Sequence, residues 1–160
     1  MPIQPFGLDY RRKVTAWAYG QAGLSDPEPY WLSALGPRVL GRPPHWCGAF
    51  ALSALKAAGL ATYVHWEIGE GFLLQTLGYR AITDYPLPGD IAYFHRAAHH
   101  AIVGDTDVDG GLVELVQGNG EGGRVTVTRH LSTPRAPNAP DRYFSIQAFI
   151  DRARAEQTPH

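Results

Sequence analysis

Cys47, the only cysteine of the chain, is a candidate nucleophile. It follows Arg42-Pro43-Pro44, which cannot lie inside a helix, and opens an Ala- and Leu-rich stretch that Gly59 can end. We therefore predict a buried helix that begins at about residue 45 or 46, with Cys47 in its first turn. Unpaired N–H groups and the positive end of the helix dipole favour a thiolate at such a position. The alternative is a small buried core cysteine without a chemical role.

Two adjacent histidines, His99 and His100, open a predicted strand and offer a general base. Because side chains alternate along a strand, His99 shares a face with Ala101 and Val103. The small Ala101 side chain would let the Cys47 helix approach the sheet closely on that face. We therefore expect His99 to accept the thiol proton and His100 to point away.

The turn Gln117-Gly118-Asn119-Gly120, after the next predicted strand, offers amide side chains that could orient the base. Asn119 or Gln117 beside His99 could accept a hydrogen bond from one ring nitrogen and fix its tautomer. Asn-Gly is also a strong turn signal, and both roles can hold together. A cysteine, a histidine and an orienting amide are the parts of a nucleophilic acyl-transfer site.

The elements that would position these residues are helices in the N-terminal part of the chain and strands in the part that follows. The spacing of apolar residues predicts a helix from Tyr10 to Gln21, capped by Asp9 and stopped by Gly23, and a short helix from Tyr30 to Leu35. The segment from 63 to 77 is ambiguous. Strands are predicted at 79–83, 91–94, 99–104, 112–117 and 124–130, followed by a Pro-rich loop at 131–141, an edge strand or short helix at 144–150 and a frayed polar tail from 152.

Short, Gly- and Asp-rich connections between these strands indicate antiparallel neighbours. The pattern predicts one α+β domain over residues 1–160, in which N-terminal helices and the buried nucleophile helix pack on an antiparallel β-meander of about five to six strands.

Composition narrows the function classes. A formal net charge of −1 over 160 residues gives no electrostatic footprint for nucleic acid or an anionic membrane. The single cysteine excludes an internal disulfide and a Cys-rich zinc site. We see no signal peptide and no apolar run of membrane-spanning length. We therefore expect synthesis in the cytoplasm and action in the periplasm or cell wall after export by a non-Sec route or after lysis.

Two motifs suggest metals only weakly. His95 and His99 have a helical metal-ligand spacing, but they flank a predicted turn and no third ligand is evident. Asp105-Thr106-Asp107-Val108-Asp109-Gly110 matches the first half of a calcium loop, but its twelfth position is Val116 rather than Glu. A solvated hairpin turn is the better interpretation. We expect no metal and no organic cofactor.

Four motifs in order resemble those of the CHAP family, the cysteine, histidine-dependent amidohydrolases and peptidases. His45-Trp46-Cys47-Gly48-Ala49-Phe50 resembles its nucleophile motif, and Pro88-Gly89-Asp90 resembles its Pro-Gly-Asp strand opening. His99-His100-Ala101-Ile102-Val103 resembles its His-x-x-Ile-Val strand, and Gln117-Gly118-Asn119 resembles its Glu-Gly-Asn element, with Gln in place of the usual Glu. The resemblance extends from about Trp46 to His130.

This resemblance implies a papain-like fold and a peptidoglycan hydrolase with Cys47 as nucleophile, His99 as base and Asn119 as orienting residue. The bond cut would be the N-acetylmuramoyl–L-alanine amide or an amide within the peptide bridge. A compact enzyme of this kind could be a phage lysin, an antibacterial effector with a cognate immunity protein, or one catalytic module of a larger machine. Trp46, Trp66 and Gln117 are candidate substrate-binding residues. Two alternatives stay open. The first is a non-catalytic protein on the same fold, either a peptide- or glycan-binding module or a secretion or virion component. The second is a Cys/His acyltransferase.

Overall fold

A computed structural model describes residues 7–35, 45–60, 78–107 and 109–157, and these form helices packed on one antiparallel sheet. The helices are α1 (Leu8–Gly20), α2 (Glu28–Leu35), α3 (Cys47–Ala57) and α4 (Gln147–Gln157). The strands are β1 (Ile82–Thr83), β2 (Ile91–Phe94), β3 (His99–Asp107), β4 (Leu112–Gln117), β5 (Thr126–Leu131) and β6 (Arg142–Phe144). The predicted α+β class is confirmed.

The sheet has the strand order β1-β6-β2-β3-β4-β5, with antiparallel pairing throughout. Strands β2 to β5 are a meander, as expected. The last strand departs from expectation: β6 spans Arg142–Phe144 and lies between β1 and β2 rather than at an edge. The loop at 132–141 makes this possible because it carries the chain from the β5 edge back across the sheet.

The helix α3 is the centre of the main core. Eight of its residues are buried, and Phe50, Ala51, Leu52 and Ala54 are fully inaccessible. It begins at Cys47 and is followed by Gly59 at φ +81°, a left-handed backbone conformation that glycine adopts without strain. The predicted buried nucleophile helix is therefore confirmed, with its start at Cys47.

Both chain ends of the described region differ from the sequence expectation. The residue capping α1 is Gly7 at φ +62°, and Asp9 lies within the first turn instead. A Cβ atom at Gly7 would collide with Ile150 of α4, so α4 packs directly against the start of α1. The segment after residue 144 is a helix that continues to Gln157, because Phe149 and Ile150 anchor it in the core. The predicted frayed tail from 152 was wrong to that extent.

A buried ion pair ties α1 to the sheet. Arg11 Nη1 donates to Asp90 Oδ1 at 2.6 Å, and both side chains are 1 % exposed. Asp90 also accepts the backbone N–H groups of Leu87 (2.8 Å) and Ile146 (3.0 Å). Burial raises the pKa of the Asp90 carboxyl, while Arg11 and these two N–H groups lower it. The aspartate of Pro88-Gly89-Asp90 therefore joins three parts of the fold.

The two faces of the sheet carry separate apolar clusters. One face, with Ile91, Ile102, Val116 and Phe144, packs against the helices. The other carries a smaller cluster formed by Ala92, Ala101, Val103, Val113, Leu115 and Tyr143. The first is called the helix face and the second the far face.

No helix in the described segments is long and apolar enough to cross a membrane.

Candidate active site

Cys47 and His100 form a buried pair at the start of α3. The distance from Cys47 Sγ to His100 Nδ1 is 3.7 Å, within hydrogen-bonding range for sulfur, and each side chain is 7 % exposed. Gly48 is only half buried and His45 is exposed, so the first turn of α3 lies close to the surface. A thiol in contact with an imidazole is the minimal arrangement for a cysteine nucleophile and its base.

The structure places His100, not His99, on the helix face, so the expected strand facing was wrong by one residue. In the β2–β3 register, Tyr93 lies opposite His100 and Ile91 lies opposite Ile102, and both isoleucines pack in the core beneath the helices. Ala101 lies in the far-face cluster instead. Ala101 was expected to be the small side chain that lets α3 approach the sheet, but it lies on the opposite face.

Gly118 makes that approach. A Cβ atom at this position would collide with Phe50 and with the ring of Trp46, so α3 lies directly on the backbone that follows β4. Extending the pairing of Ile102 with Val116 by two residues sets Gly118 opposite His100. The glycine lets the first turn of α3 reach the level of His100.

His99 belongs to a hydrogen-bonded chain on the far face. Its Nε2–H donates to Gln117 Oε1 (2.6 Å), and Gln117 Nε2 donates to Thr128 Oγ1 (2.5 Å). Thr128 in turn bonds His130 Nε2 at 2.7 Å, and His130 Nδ1 donates to the backbone oxygen of Asn138 at 2.6 Å. Burial lowers the pKa of His99, and its bond to Gln117 acts in the opposite direction. Gln117 therefore lies away from Cys47, contrary to its expected place in the substrate site.

Asn119 does not orient the histidine that contacts Cys47. It follows β4 at φ +57°, the left-handed conformation that asparagine tolerates in a turn. Within the described part of the chain its side chain forms no hydrogen bond to His100 or to His99. Of its two expected roles, the turn is confirmed and the orienting hydrogen bond is not formed.

An aromatic residue that was not expected from the sequence lies against the base. The Tyr93 ring packs on His100 with centroids 5.1 Å apart and an interplanar angle of 62°, and it also contacts His95 at 5.4 Å. Tyr93 is 8 % exposed. Its position two residues after Ile91 in a predicted strand put it on the helix face, so the correct facing of His100 would have revealed the contact.

Trp46 is a core residue rather than a surface for substrate. It is 4 % exposed and stacks on Tyr30, with ring centroids 5.3 Å apart and planes 10° from parallel. Its burial is the reason to withdraw the expected substrate contact. Trp66, the other aromatic candidate, lies outside the described residues.

Burial dominates the environment of the Cys47 thiol. Burial raises its pKa, and backbone hydrogen bonds from His100, Gly48 and Cys47 itself offset this only in part. The expectation that the helix start lowers the pKa is therefore corrected, since desolvation outweighs the N–H groups of the first turn. The site therefore pairs a buried thiol of raised pKa with an imidazole.

Metal ligands do not cluster in the described part of the chain: no group of three or more His, Cys, Asp or Glu side chains is close enough to hold an ion. His95 lies in the turn after β2 and its N–H donates to Asp141. Asp107 accepts the N–H of Gly110 at 2.8 Å in the β3–β4 hairpin, so the predicted turn is present. It is shorter than expected, because β3 continues to Asp107 instead of ending at residue 104.

Comparison of the chain with protein-family models, with curated proteins and with solved structures found no match.

Proposed function

We propose that this protein is a cysteine amide hydrolase in which Cys47 is the nucleophile and His100 is the general base. The observation that carries the proposal is the contact of 3.7 Å between Cys47 Sγ and His100 Nδ1 at the first turn of a buried helix. A core cysteine needs no imidazole beside it, and a buried imidazole needs a polar partner. A cysteine nucleophile and its base would explain why these two residues are in contact.

The reaction begins with proton transfer. His100 takes the thiol proton on Nδ1 while the sulfur attacks the carbonyl carbon of an amide. Collapse of the tetrahedral intermediate breaks the C–N bond, and His100 returns the proton to the leaving amine. Water then attacks the thioester with His100 again as base, which releases a carboxylate and restores the thiol.

Stabilisation of the oxyanion falls to the start of α3. The first intrahelical bond there runs from Phe50 N–H to the Trp46 carbonyl, at 2.9 Å, so the N–H groups before Phe50 have no partner of this kind. The Cys47 N–H is the natural donor for charge that develops beside its own side chain. Loss of one such donor typically costs about 3 kcal/mol of transition-state stabilisation.

Peptidoglycan is the substrate class that we propose. The order of Cys47, Pro88-Gly89-Asp90, the His99-His100 strand and Gln117-Gly118-Asn119 resembles that of CHAP domains, which cut amide bonds of the cell wall. A nucleophile helix packed on an antiparallel sheet is compatible with the papain-like fold of that family, and we propose that fold here. The base moves to the second histidine of the pair.

Digestion of purified peptidoglycan, with mass spectrometry of the soluble products, tests this function. The protein should release fragments with a new amine and a new carboxylate, and the fragment masses identify the amide that is cut. Cys47→Ala should abolish release while its circular dichroism spectrum and unfolding midpoint stay close to those of the original chain.

Two results would refute the proposal. Product release by a folded Cys47→Ala variant would exclude the cysteine mechanism. If the original chain and the Cys47→Ala variant both bind peptidoglycan and neither cleaves it, the result would favour a non-catalytic binding module on the same fold.

A further inference from the structure

A concave site lies on the far face of the sheet, away from Cys47. It is a groove of about 730 Å³, within the size range typical of small-molecule sites. Thr83 and Thr106 line it, and their strand partners Tyr143 and Val113 belong to the far-face cluster. Neither Cys47 nor His100 contributes to its lining. The proposed hydrolysis does not use this groove.

The lining is rich in hydroxyl groups and balanced in charge. Thr106, Ser132 and Thr133 supply hydroxyls that can both donate and accept hydrogen bonds, and Thr83 adds a fourth hydroxyl that bonds the backbone of Tyr85 in its own turn. Two carboxylates, from Asp84 and Asp141, and two guanidinium groups, from Arg135 and Arg142, also line the groove. Because the opposite charges are equal in number, the site has no net preference for an anion or a cation, and a neutral ligand with many hydroxyl groups matches it best.

An exposed aromatic ring completes the groove. Tyr85 lines it and is 79 % exposed, among the most exposed large apolar side chains of the described residues. The Thr83 hydroxyl accepts the Tyr85 N–H at 3.1 Å and fixes the turn that carries the ring. An aromatic ring held at the edge of a polar groove provides an apolar surface for the C–H face of a sugar ring, while its hydroxyl remains available to bond.

The opposite wall is held in one shape. Arg135 and Asn138 adopt left-handed backbone conformations, at φ +65° and +61°, although neither is glycine. Such residues persist only where neighbouring contacts fix the backbone. Here Arg135 N–H bonds the Pro140 carbonyl at 2.9 Å, and His130 Nδ1 bonds the Asn138 carbonyl at 2.6 Å. Arg135, the one of these two residues that lines the groove, is therefore held in a fixed backbone conformation, and a fixed wall lowers the entropy cost of binding.

We propose that this groove binds a neutral oligosaccharide. A peptide would be expected to use apolar side-chain pockets or an exposed strand edge, and the hydroxyls, balanced charges and single aromatic ring fit a saccharide better. The proposal does not require Cys47 or any catalytic step.

Isothermal titration with chitotriose and with maltotriose tests this proposal. Binding of either neutral trisaccharide supports it, and absence of binding of both at millimolar concentration overturns it. Tyr85→Ala should weaken binding about tenfold, the loss of roughly 1.4 kcal/mol. Tyr79→Ala is the matched control, because Tyr79 is 72 % exposed but does not line the groove, and it should bind like the original chain.

Two further variants separate binding from folding and from the other site. Arg135→Gly should weaken trisaccharide binding although its unfolding midpoint stays equal or rises, because glycine adopts φ +65° without strain. Cys47→Ala should bind the trisaccharide unchanged. Loss of binding in Cys47→Ala, equal losses in the two tyrosine variants, or tighter binding of a neutral tripeptide than of either sugar would each overturn the assignment.

Discussion

At the scale of single residues, the proposed site depends on a buried cysteine whose thiol pKa is raised. Helix-start cysteines are commonly thiolates, but Cys47 is 7 % exposed and desolvation raises its pKa. In the proposed mechanism, proton transfer to His100 therefore accompanies the attack of the sulfur instead of preceding it. His100 would then be needed as the base in every catalytic cycle.

Alkylation of Cys47 as a function of pH measures this property. The alkylation rate with iodoacetamide should rise with pH. Its midpoint should lie above that of the same protein unfolded in urea, where the thiol has its ordinary pKa of about 8.5. At neutral pH the folded protein should therefore react more slowly than the unfolded chain. A midpoint below neutrality in the folded protein would mean that Cys47 is a preformed thiolate.

The same shift has a consequence for stability. A thiol whose folded-state pKa is raised loses its proton first in the unfolded chain as the pH rises. Its burial therefore favours the folded state fully below the unfolded pKa, and that advantage is lost between the unfolded and the folded pKa.

What the sequence could predict at this scale was the set of residue types, and what it could not predict was their facing. Cys47 and a neighbouring histidine were identifiable because the cysteine is single and the two histidines are adjacent. A strand alternates with a period of two, so one wrong contact assignment exchanges His99 for His100. The deciding contact is Gly118 against Phe50 and Trp46, a long-range approach that residue spacing does not encode.

At the scale of elements, the register of α3 on the sheet depends on Gly118. A methyl group there would push Phe50 and Trp46 away, and the start of α3 with them. Gly118→Ala should lower the free energy of unfolding by about 1–3 kcal/mol, the usual cost of overpacking, and reduce hydrolysis because Cys47 moves relative to His100.

Urea denaturation with an activity assay checks this, and Gly20→Ala is the control. Gly20 ends α1, and the methyl group of an alanine at this position would have no neighbouring atom within 4 Å. Alanine there should leave stability unchanged or raise it by roughly 0.5–1 kcal/mol. An unchanged unfolding free energy in Gly118→Ala would show that α3 does not rest on this residue.

The ion pair between Arg11 and Asp90 holds α1, the turn before β2 and the start of α4 together. The Arg11 guanidinium also donates to the carbonyl of Pro88 at 3.1 Å and to Gln147 Oε1 at 3.3 Å. The Pro-Gly-Asp sequence pointed to a strand opening, and β2 does begin there. The arginine partner, 79 positions away, could not be predicted because nothing in local spacing joins the two.

Asp90→Asn should cost about 3–5 kcal/mol of unfolding free energy, since it leaves a buried guanidinium without its counter-charge. Chemical denaturation measures the loss. The double variant Arg11→Met, Asp90→Leu should cost less than Asp90→Asn alone, because it removes both buried charges. If Asp90→Asn lowers the free energy of unfolding by less than about 1 kcal/mol, other contacts hold α1 against the sheet.

At the scale of the whole molecule, one sheet separates two sites of different character. The helix face carries the apolar core and the Cys47–His100 pair. The far face carries the His99–Gln117–Thr128–His130 chain and the polar groove. Cleavage on one face and saccharide binding on the other would suit a substrate that combines peptide and sugar.

Much of this architecture was readable from the chain. Helices before strands, short turns and alternating apolar residues predicted the α+β class and located β2 and β4 to the residue. The placement of β6 between β1 and β2 was not readable, because pairing partners distant in sequence leave no local pattern. The helix α4 was masked by its polar composition, since only Phe149 and Ile150 anchor it firmly.

The most direct test of the central claim compares peptidoglycan hydrolysis by His100→Ala and His99→Ala at one pH. The two variants remove the same side chain from adjacent positions, so each is the control for the other. His100→Ala should lose about 10²–10⁴-fold in rate, the usual contribution of a positioned base, with its fold intact. His99→Ala should retain most of the rate and lose chiefly stability. An inactive His99→Ala beside an active His100→Ala would contradict the Cys47–His100 site.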